Sequence, residues 1–241
     1  MPQMQRVLSL IYPDQCLVCD AQVTHSGALC GECWSNTPFI DGLVCDACGV
    51  PLPGSNDGEA AFCDDCLAKP RPWEQGRAAL SYSDIGRRIV LALKHGDRTE
   101  YAAAAAPWLF RAATPLLKHD TLLVPIPVHW TRLISRRYNQ AAELSRALAH
   151  HAGLPHCPDA LVRTKRTRKL DGLTVDQRFA TLNDAIQPNP RRSNDLKGRN
   201  ICLVDDVMTS GATLACATNA AFAAGADRVS VIVLARVEKA P

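Results

Sequence analysis

The spacing of apolar positions beyond residue 80 alternates between a helical period and short continuous runs. Residues 83–93 place isoleucine or leucine at steps of four, which predicts an amphipathic helix. Residues 101–113 are rich in alanine and predict a second helix, which Pro107 is expected to kink or split. Further helices are predicted from residue 140 to about residue 150 and over residues 177–186.

Short apolar runs separate these helices. Residues 122–124, 201–204 and 229–235 are mostly leucine, isoleucine and valine, and each run predicts a buried strand. The prolines at positions 125 and 127 are expected to stiffen the loop behind the first run. Strand and helix therefore alternate from about residue 121 onward, which is typical of an α/β protein with a parallel sheet and right-handed crossovers.

A dense polar pattern follows the run 201–204. Asp205 and Asp206 come directly after it, and five small residues then lead into a helix predicted over residues 212–224. Open α/β sheets bind ligands beyond the carboxyl ends of their strands. A helix N-terminus with hydroxyl groups suits a phosphate, and paired carboxylates accept hydrogen bonds from sugar hydroxyls. The predicted phosphate-binding loop consists of Thr209, Ser210, Gly211, Ala212 and Thr213.

Composition places limits on the class of protein. The 241 residues are 47% hydrophobic and 21% charged, which is enough for one substantial core and an appended unit. The net charge of +3 is low for a chain that mainly binds nucleic acid. The apolar stretch at residues 7–12 is too short for a signal peptide, and no stretch approaches the roughly 20 apolar residues that span a bilayer. We therefore expect a cytoplasmic protein without membrane insertion.

Four Cys-x-x-Cys pairs lie within the first 66 residues. They are Cys16/Cys19, Cys30/Cys33, Cys45/Cys48 and Cys63/Cys66. Because no secretion signal is predicted, these thiols are expected to stay reduced and to form two structural four-cysteine zinc sites, in preference to disulfides or a redox dithiol. Pairing in sequence order is preferred, while an interleaved pairing remains open. Asp20 and Gly49 follow two of the pairs and suit left-handed turns.

The pattern of proline divides the chain into two domains. Pro70 and Pro72 flank Arg71 just after the last cysteine pair, and they predict an extended linker. We expect a small zinc-ribbon domain over residues 1–70 and an α/β domain over residues 71–241.

Cationic side chains occur at three places in the second domain. Lys94 ends a predicted helix, where the helix dipole alone favours a cation. Five of the seven residues 163–169 are cationic, which by default indicates a mobile surface loop. Three arginines follow the strand predicted at residues 122–124, and their guanidinium groups suit a pyrophosphate. They are Arg132, Arg136 and Arg137.

Several strings resemble the ComF family of competence-associated, phosphoribosyltransferase-like proteins. One is Leu-Lys-x-Gly at residues 93–96, and another is Val-Pro-Ile-Pro-Val-His-x-x-Arg-Leu-x-x-Arg-Arg-Tyr-Asn-Gln-Ala at residues 124–141. Residues 201–213 resemble the phosphoribosyl-pyrophosphate (PRPP) signature of type I phosphoribosyltransferases. Together with the double ribbon, the resemblance extends over nearly the whole chain. In the family, glycine is more common at the position of Arg137.

The resemblance implies a Rossmann-like parallel sheet of the type I phosphoribosyltransferase kind behind a double zinc ribbon. It also implies that PRPP is bound with Mg²⁺, its ribose by Asp205 and Asp206 and its 5′-phosphate by residues 209–213. Lys94 and the three arginines at 132, 136 and 137 are then expected near the pyrophosphate. A hood closing over the site is expected to contain Lys165, Arg166 and Arg168.

Two classes of function are compatible with the resemblance. One is transfer of the phosphoribosyl group to a nucleobase or another acceptor, with release of pyrophosphate, in DNA uptake or nucleotide salvage. The other is a non-catalytic PRPP sensor or accessory protein that binds single-stranded DNA or a DNA-uptake helicase. In the second case Trp34, Phe39 and Phe62 are candidates for stacking on DNA. The mild net charge favours the first class.

Overall fold

The computed structural model describes residues 13–55, 58–94, 100–130, 133, 138–165, 177 and 185–238. Its strands are β1 (Gly76–Ser81), β2 (Leu122–Pro125), β3 (Leu161–Arg163), β4 (Ile186–Pro188), β5 (Asn200–Met208) and β6 (Arg228–Arg236). Four of them form a parallel sheet in the order β1-β6-β5-β2, and β3 pairs with β4 in a separate antiparallel pair.

Helices cover both faces of the parallel sheet. Those described are α1 (Gly31–Ser35), α2 (Asp64–Ala68), α3 (Asp84–Lys94), α4 (Glu100–Ala113), α5 (Gln140–Ala152), α6 (Ser193–Leu196) and α7 (Ala212–Ala223). Within β5, Ile201 and Leu203 pack in the core beneath α7, while Cys202 and Val204 pack in the core beneath α3, α4 and α5. This three-layer arrangement confirms the predicted α/β fold. No described helix is long and apolar enough to cross a membrane.

Three predicted elements differ from the structure. Helix α4 runs unbroken through Pro107, because Pro107 and Ala103 both lie on its exposed face, where water can bind the carbonyl that a proline leaves unpaired. The helix predicted over residues 177–186 is wrong at its end, since Ile186 begins β4; residues 178–184 lie outside the described part. The strand predicted over residues 201–204 continues to Met208.

The cysteine-rich segment straddles the edge strand β1. Its first half, which contains Cys16 and Cys33, packs in the core on the α3–α5 face of the sheet. Its second half, which contains Cys45, Cys48 and Cys66, packs in the core on the α7 face. We call these halves the first and second ribbon units. The sequence did not predict β1, which lies between them.

Backbone hydrogen bonds fix the ribbon to β1. The N–H of Ile40 donates to the carbonyl of Ala79 at 3.0 Å, and the N–H of Ser81 donates to the carbonyl of Pro38 at 2.9 Å. At the other end of the strand, the N–H of Gly76 donates to a ribbon carbonyl, that of Asp46, at 2.7 Å. The ribbon thus satisfies backbone groups that an open sheet edge would leave exposed.

Gly49 shows how closely the second ribbon unit approaches the sheet. Its φ of +70° is left-handed, as predicted, and a Cβ at this position would lie 2.7 Å from the backbone nitrogen of Ala78. Asp20, with φ of +62°, occupies the equivalent position in the first unit. Glycine is therefore required at residue 49 for both conformation and space.

The segment predicted as an extended linker packs between the ribbon and the sheet. Trp73 is only 4% exposed, and its indole Nε1 donates to the carbonyl of Ala47 at 2.6 Å. The guanidinium of Arg71 lies 5.8 Å from the centre of the Trp73 ring. Residues 71–73 therefore lie at the junction of the ribbon, the sheet and the loop before α7.

Candidate functional site

Asp205 and Asp206 lie inside β5, and not beyond its end as the sequence predicted. Pairing with β2 ends where Pro125 meets Val204, whereas pairing with β6 continues to Met208. The acidic pair therefore occupies the part of β5 that extends past the carboxyl end of β2. This is the edge at which open α/β sheets bind ligands.

Lys94 lies against this acidic pair. Its Nζ is 3.0 Å from Oδ2 of Asp206, and the two side chains are only 23% and 17% exposed. Lys94 is the last residue of α3, so the helix end presents the ammonium group to β5. The hydroxyl of Tyr138 donates to the carbonyl of Leu93 at 2.6 Å and so ties the segment before α5 to the same helix end.

Asp205 is costly to ionise in the folded chain. Burial, followed by the charge of Asp206, raises the pKa of Asp205 well above its ordinary value. The backbone N–H of Asp206, which donates to Oδ1 of Asp205 at 2.9 Å, and the charge of Lys94 oppose this rise. The carboxyl group is thus suited to a ligand that brings hydrogen-bond donors or positive charge.

The loop 209–213 leads directly from the acidic strand into α7. Gly211 has φ of +80° and is the N-cap of the helix, and no side chain caps the first turn. The N–H of Ala212 makes only a long contact of 3.4 Å with Oγ of Ser210. Backbone N–H groups at the start of this 12-residue helix are therefore free of side-chain caps and suit an anion.

Two arginines that the sequence analysis missed support this loop from the ribbon side. Nη1 of Arg71 donates to the carbonyl of Ser210 at 2.7 Å, and Nη1 of Arg236 donates to the carbonyl of Thr209 at 2.8 Å. A local signal was present only for Arg71, which is held between two prolines. Arg236 ends a strand and has no distinctive neighbours in sequence.

Other predicted site residues are only partly described. Lys165 is exposed just after β3. Lying outside the described residues are Arg132, Arg136, Arg137, Arg166 and Arg168.

The eight paired cysteines form two clusters in sequence order. The first cluster consists of Cys16, Cys19, Cys30 and Cys33, and the second of Cys45, Cys48, Cys63 and Cys66. Within each cluster the sulfur atoms all lie within 4.8 Å of one another, and two of the separations are 3.5 and 3.7 Å. A tetrahedral zinc ion with Zn–S bonds of about 2.3 Å places its sulfurs about 3.8 Å apart. Both clusters fit zinc, and the interleaved pairing is excluded.

Backbone donors favour the thiolate form that zinc requires. The N–H groups of Cys30 and Val18 donate to Sγ of Cys16 at 3.3 and 3.5 Å. Burial raises the pKa of Cys16, but these donors outweigh it and lower the pKa to about 6. Cys16 therefore takes the thiolate form more readily than an ordinary thiol.

Comparison with known families supports the ribbon assignment. Residues 7–75 match the family model of the double zinc ribbon domain. With the two cysteine clusters, this confirms the predicted pair of structural zinc-binding sites.

Curated relatives match most of the chain. The DNA utilization protein YhgH of Escherichia coli (strain K12) is 28% identical over 235 residues, which cover 94% of this chain and 99% of the relative. The protein of the same name from Salmonella typhi is 31% identical over 201 residues, covering 80% and 84%. Competence protein ComFC of Bacillus subtilis (strain 168) is 26% identical over 221 residues, covering 83% and 85%.

Among solved structures, similar chains include two that act on phosphoribosyl compounds according to their names. Glutamine PRPP amidotransferase from B. subtilis has a TM-score of 0.37 and 14% identity, and the match covers 55% of this chain but only 25% of that one. Hypoxanthine phosphoribosyltransferase from Trypanosoma cruzi has a TM-score of 0.32 and 16% identity, covering 64% and 80%.

The cysteine clusters predict two zinc ions per chain. Cys19→Ser and Cys63→Ser are each expected to retain one zinc, because each removes one ligand from a different closed site. Cys216→Ser, which changes a thiol outside both clusters, is the control and is expected to retain two. Elemental analysis of protein purified without chelator measures the count; fewer than two zinc ions in the wild type would contradict the prediction.

The raised pKa of Asp205 predicts that its charge destabilises the free protein. Asp205→Asn keeps an oxygen for the N–H of Asp206 and removes the charge, so we expect a gain of about 1 kcal/mol at pH 7 to 8, or about 2–4 °C in Tm.

The stabilising effect of Asp205→Asn should depend on pH, because folding raises the pKa of Asp205. A carboxyl whose pKa is raised by folding contributes stability that is lost as the pH rises, so the advantage of Asp205→Asn should vanish below about pH 4. Thermal melts over this range test it, with the exposed Asp227→Asn as the control. An equal or lower Tm for Asp205→Asn at pH 8 would contradict the assignment.

Proposed function

Because the chain belongs to the ComF family, we propose that it binds PRPP with Mg²⁺ at the carboxyl end of its sheet and transfers the phosphoribosyl group to an acceptor. The observation that carries this proposal is the continuity of Asp205 and Asp206 with the uncapped start of α7 in one strand, loop and helix. Carboxylates for a sugar and N–H groups for a phosphate are thereby held a few residues apart.

In this proposal the 5′-phosphate binds at the loop 209–213, where the helix N-terminus favours negative charge. The ribose hydroxyls donate to Asp205 and Asp206, and such donors favour the ionised form that burial of Asp205 opposes. Carboxylate and phosphate oxygens suit Mg²⁺, which supplies positive charge to offset the pyrophosphate that leaves.

Lys94 is proposed as a contact of the pyrophosphate. It already neutralises Asp206 at 3.0 Å in a partly buried position. A bound pyrophosphate would attract the same ammonium group, while the ribose hydroxyls would take its place at the carboxylate. On binding, Lys94 would therefore pair with the pyrophosphate, and Asp206 would accept hydrogen bonds from the ribose hydroxyls. Neither charge is left without a partner.

The transfer step needs no nucleophile from the protein. A nitrogen of the acceptor, such as a nucleobase, attacks the anomeric carbon, and the bond to pyrophosphate breaks with the electron pair leaving on oxygen. The proton lost by the acceptor nitrogen passes to solvent. Positive charge that develops on the ribose lies near the acidic pair, and the protein contributes orientation and electrostatic stabilisation.

A second candidate function is an accessory role in which the ribbon binds single-stranded DNA. Trp34 is 50% exposed, and its ring lies 4.8 Å from that of Phe39 and 6.4 Å from that of Trp108. The exposed indole of Trp34, supported by the two partly buried rings, offers a surface on which a base can stack. The names of the relatives, which refer to DNA utilization and competence, favour a connection with DNA.

PRPP binding is tested with the double variant Asp205→Asn and Asp206→Asn. Loss of two charge-assisted acceptors is expected to weaken Mg-PRPP binding by about 100-fold or more, as measured by calorimetry. The control is Asp227→Asn with Glu238→Gln, which removes the same charge from exposed positions and should bind as the wild type does. Unchanged affinity in a folded double variant would remove the acidic pair from the site.

The enzyme and the accessory protein differ in their dependence on the cationic run at 163–169. If the run closes over the site, replacing Lys165, Arg166 and Arg168 by alanine should lower pyrophosphate release strongly and weaken PRPP binding only modestly, because the hood acts mainly in the transition state. We favour this outcome, and pyrophosphate release assayed across nucleobases measures it.

A matched variant removes the same charge elsewhere. It replaces the exposed Lys118, Arg191 and Lys197 by alanine and is expected to release pyrophosphate at the wild-type rate. A wild-type protein that binds PRPP but releases no pyrophosphate, and whose salt-dependent affinity for single-stranded DNA disappears in the first triple variant alone, would favour the accessory role instead.

A further inference from the structure

Arg71 connects the second cysteine cluster to the loop before α7. Its Nε donates to Sγ of Cys66 at 3.3 Å, while its Nη1 donates to the carbonyl of Ser210 at 2.7 Å. The guanidinium is also stacked near Trp73, whose ring would lie 3.0 Å from a Cβ at Gly211. One planar group thus contacts a metal ligand and a loop carbonyl that are 144 residues apart in sequence, at positions 66 and 210.

Arg236 makes a second connection of the same kind. Its Nη2 lies 3.8 Å from Sγ of Cys48, and its Nη1 donates to the carbonyls of Thr209 at 2.8 Å and Met208 at 3.1 Å. The side chain is only 4% exposed. Cys66 and Cys48 of the second cluster therefore each contact an arginine that also donates hydrogen bonds to the loop. In the described part of the chain, the sulfur atoms of the first cluster accept from backbone N–H groups of the ribbon itself, those of Val18, Cys30 and Cys33.

Charge explains why arginine suits these positions. Four thiolates on one zinc ion leave a net charge of −2, and a guanidinium offers several donors in a fixed plane with a permanent positive charge. Hydrogen bonds from such outer groups orient metal ligands and are oriented by them. The position of each arginine is thus set by sulfur atoms that the zinc ion holds together.

The carbonyl contacts determine where the loop amides point. In a planar trans peptide the C=O and the N–H of the next residue face opposite directions. Holding the carbonyls of Thr209 and Ser210 towards the ribbon therefore directs the N–H groups of Ser210 and Gly211 away from it. These are N–H groups that a phosphate at the start of α7 would bind.

We propose that Arg71 and Arg236 are positioning residues that couple zinc in the second cysteine cluster to the phosphate affinity of the loop 209–213. The inference deepens the proposed function and rests on it for the identity of the ligand. By thermodynamic linkage, a phosphate bound at the loop must raise the zinc affinity of the second cluster by the same factor, and it leaves the first cluster unaffected.

The first test uses Arg71→Lys in the zinc-loaded full chain. Lysine keeps the charge but replaces the rigid planar fork by one ammonium group on a flexible stem, so it does not fix Cys66 and Ser210 at the positions that Nε and Nη1 hold. Zinc content should remain two per chain. Loop exchange is followed at the amide of Ala215, whose N–H donates to the carbonyl of Gly211 at 2.9 Å. It should accelerate about tenfold or more in the absence of any ligand, because the loop that holds this carbonyl loses a charged hydrogen bond. The affinity for ribose 5-phosphate should fall by a similar factor.

Arg77→Lys is the matched control. Nη2 of Arg77 lies 2.5 Å from Oδ1 of Asp46 and so fixes the second ribbon unit to β1 without touching the loop. Exchange in the loop should stay at the wild-type rate in this variant. The proposal is overturned if Arg71→Lys leaves loop exchange unchanged, or if it accelerates exchange equally in β1 and β6, which would indicate general loosening.

A second measurement leaves both arginines in place. Cys19→Ser protein, with zinc only in the second cluster, is titrated with a chromophoric chelator, with and without ribose 5-phosphate. We expect its zinc affinity to rise about fivefold or more with the sugar phosphate, and that of Cys63→Ser protein to remain constant. Equal zinc affinities in the Cys19→Ser protein, where calorimetry shows that ribose 5-phosphate is bound, would overturn the coupling.

The two proposals fail in different ways. If the wild type binds neither PRPP nor ribose 5-phosphate, the proposed function fails, and loop exchange in Arg71→Lys alone decides whether the arginines position the loop. If PRPP binds equally well to the wild type and Arg71→Lys and loop exchange is unchanged, the proposed function stands and the coupling is wrong.

Discussion

The structure depends on the docking of the zinc ribbon across the edge of the parallel sheet. Strand β1 hydrogen-bonds to only one strand of the described sheet, β6, and its other edge is covered by backbone contacts from the ribbon. The two ribbon units enclose this strand from opposite faces and extend both hydrophobic cores. A short strand with alanine at its centre would bury little by itself, so its place in the sheet depends on the ribbon, and the ribbon in turn depends on its metal ligands.

The candidate site also depends on the ribbon, because a few contacts join the second ribbon unit to the loop 209–213. The second ribbon unit lies on the same face of the sheet as α7, and residues 71–73 fill the space between them. The loop 209–213 is therefore supported by side chains on the ribbon side, while the start of α7 keeps its N–H groups free of side-chain caps. A loop of small residues gains rigidity in this way without giving up the donors that an anion requires.

The sequence predicted the features that neighbouring residues determine, and it missed those that depend on contacts between residues far apart in the chain. Regular cysteine spacing predicted both clusters, and the strand, acidic pair and small-residue loop are contiguous, so their common location followed from one run of residues. Strand β1 was missed because Arg77, Ala78 and Ala79 have little strand propensity, and pairing with β6 and the ribbon decides its conformation. The length of β5 was underestimated for a related reason: carboxylates rarely occur within strands, yet β6 continues to pair beyond Asp205. The arginine contacts join residues far apart in sequence, and no spacing rule predicts them.

The candidate site also contains features that destabilise the free protein, unlike the well-packed sheet and helices around it. Two adjacent carboxylates occupy a partly buried strand, where the described residues provide one ammonium group to balance them, and a 12-residue helix begins without a side-chain cap. Each feature costs stability in the free protein, and each would be relieved by a ligand that carries an anion at one end and hydroxyl donors at the other. A sugar phosphate has this distribution of groups. The two deficits flank the loop 209–213, which Arg71 and Arg236 support from the ribbon side. The proposed function assigns both to one ligand, so binding of the whole sugar phosphate should be favoured over binding of phosphate alone.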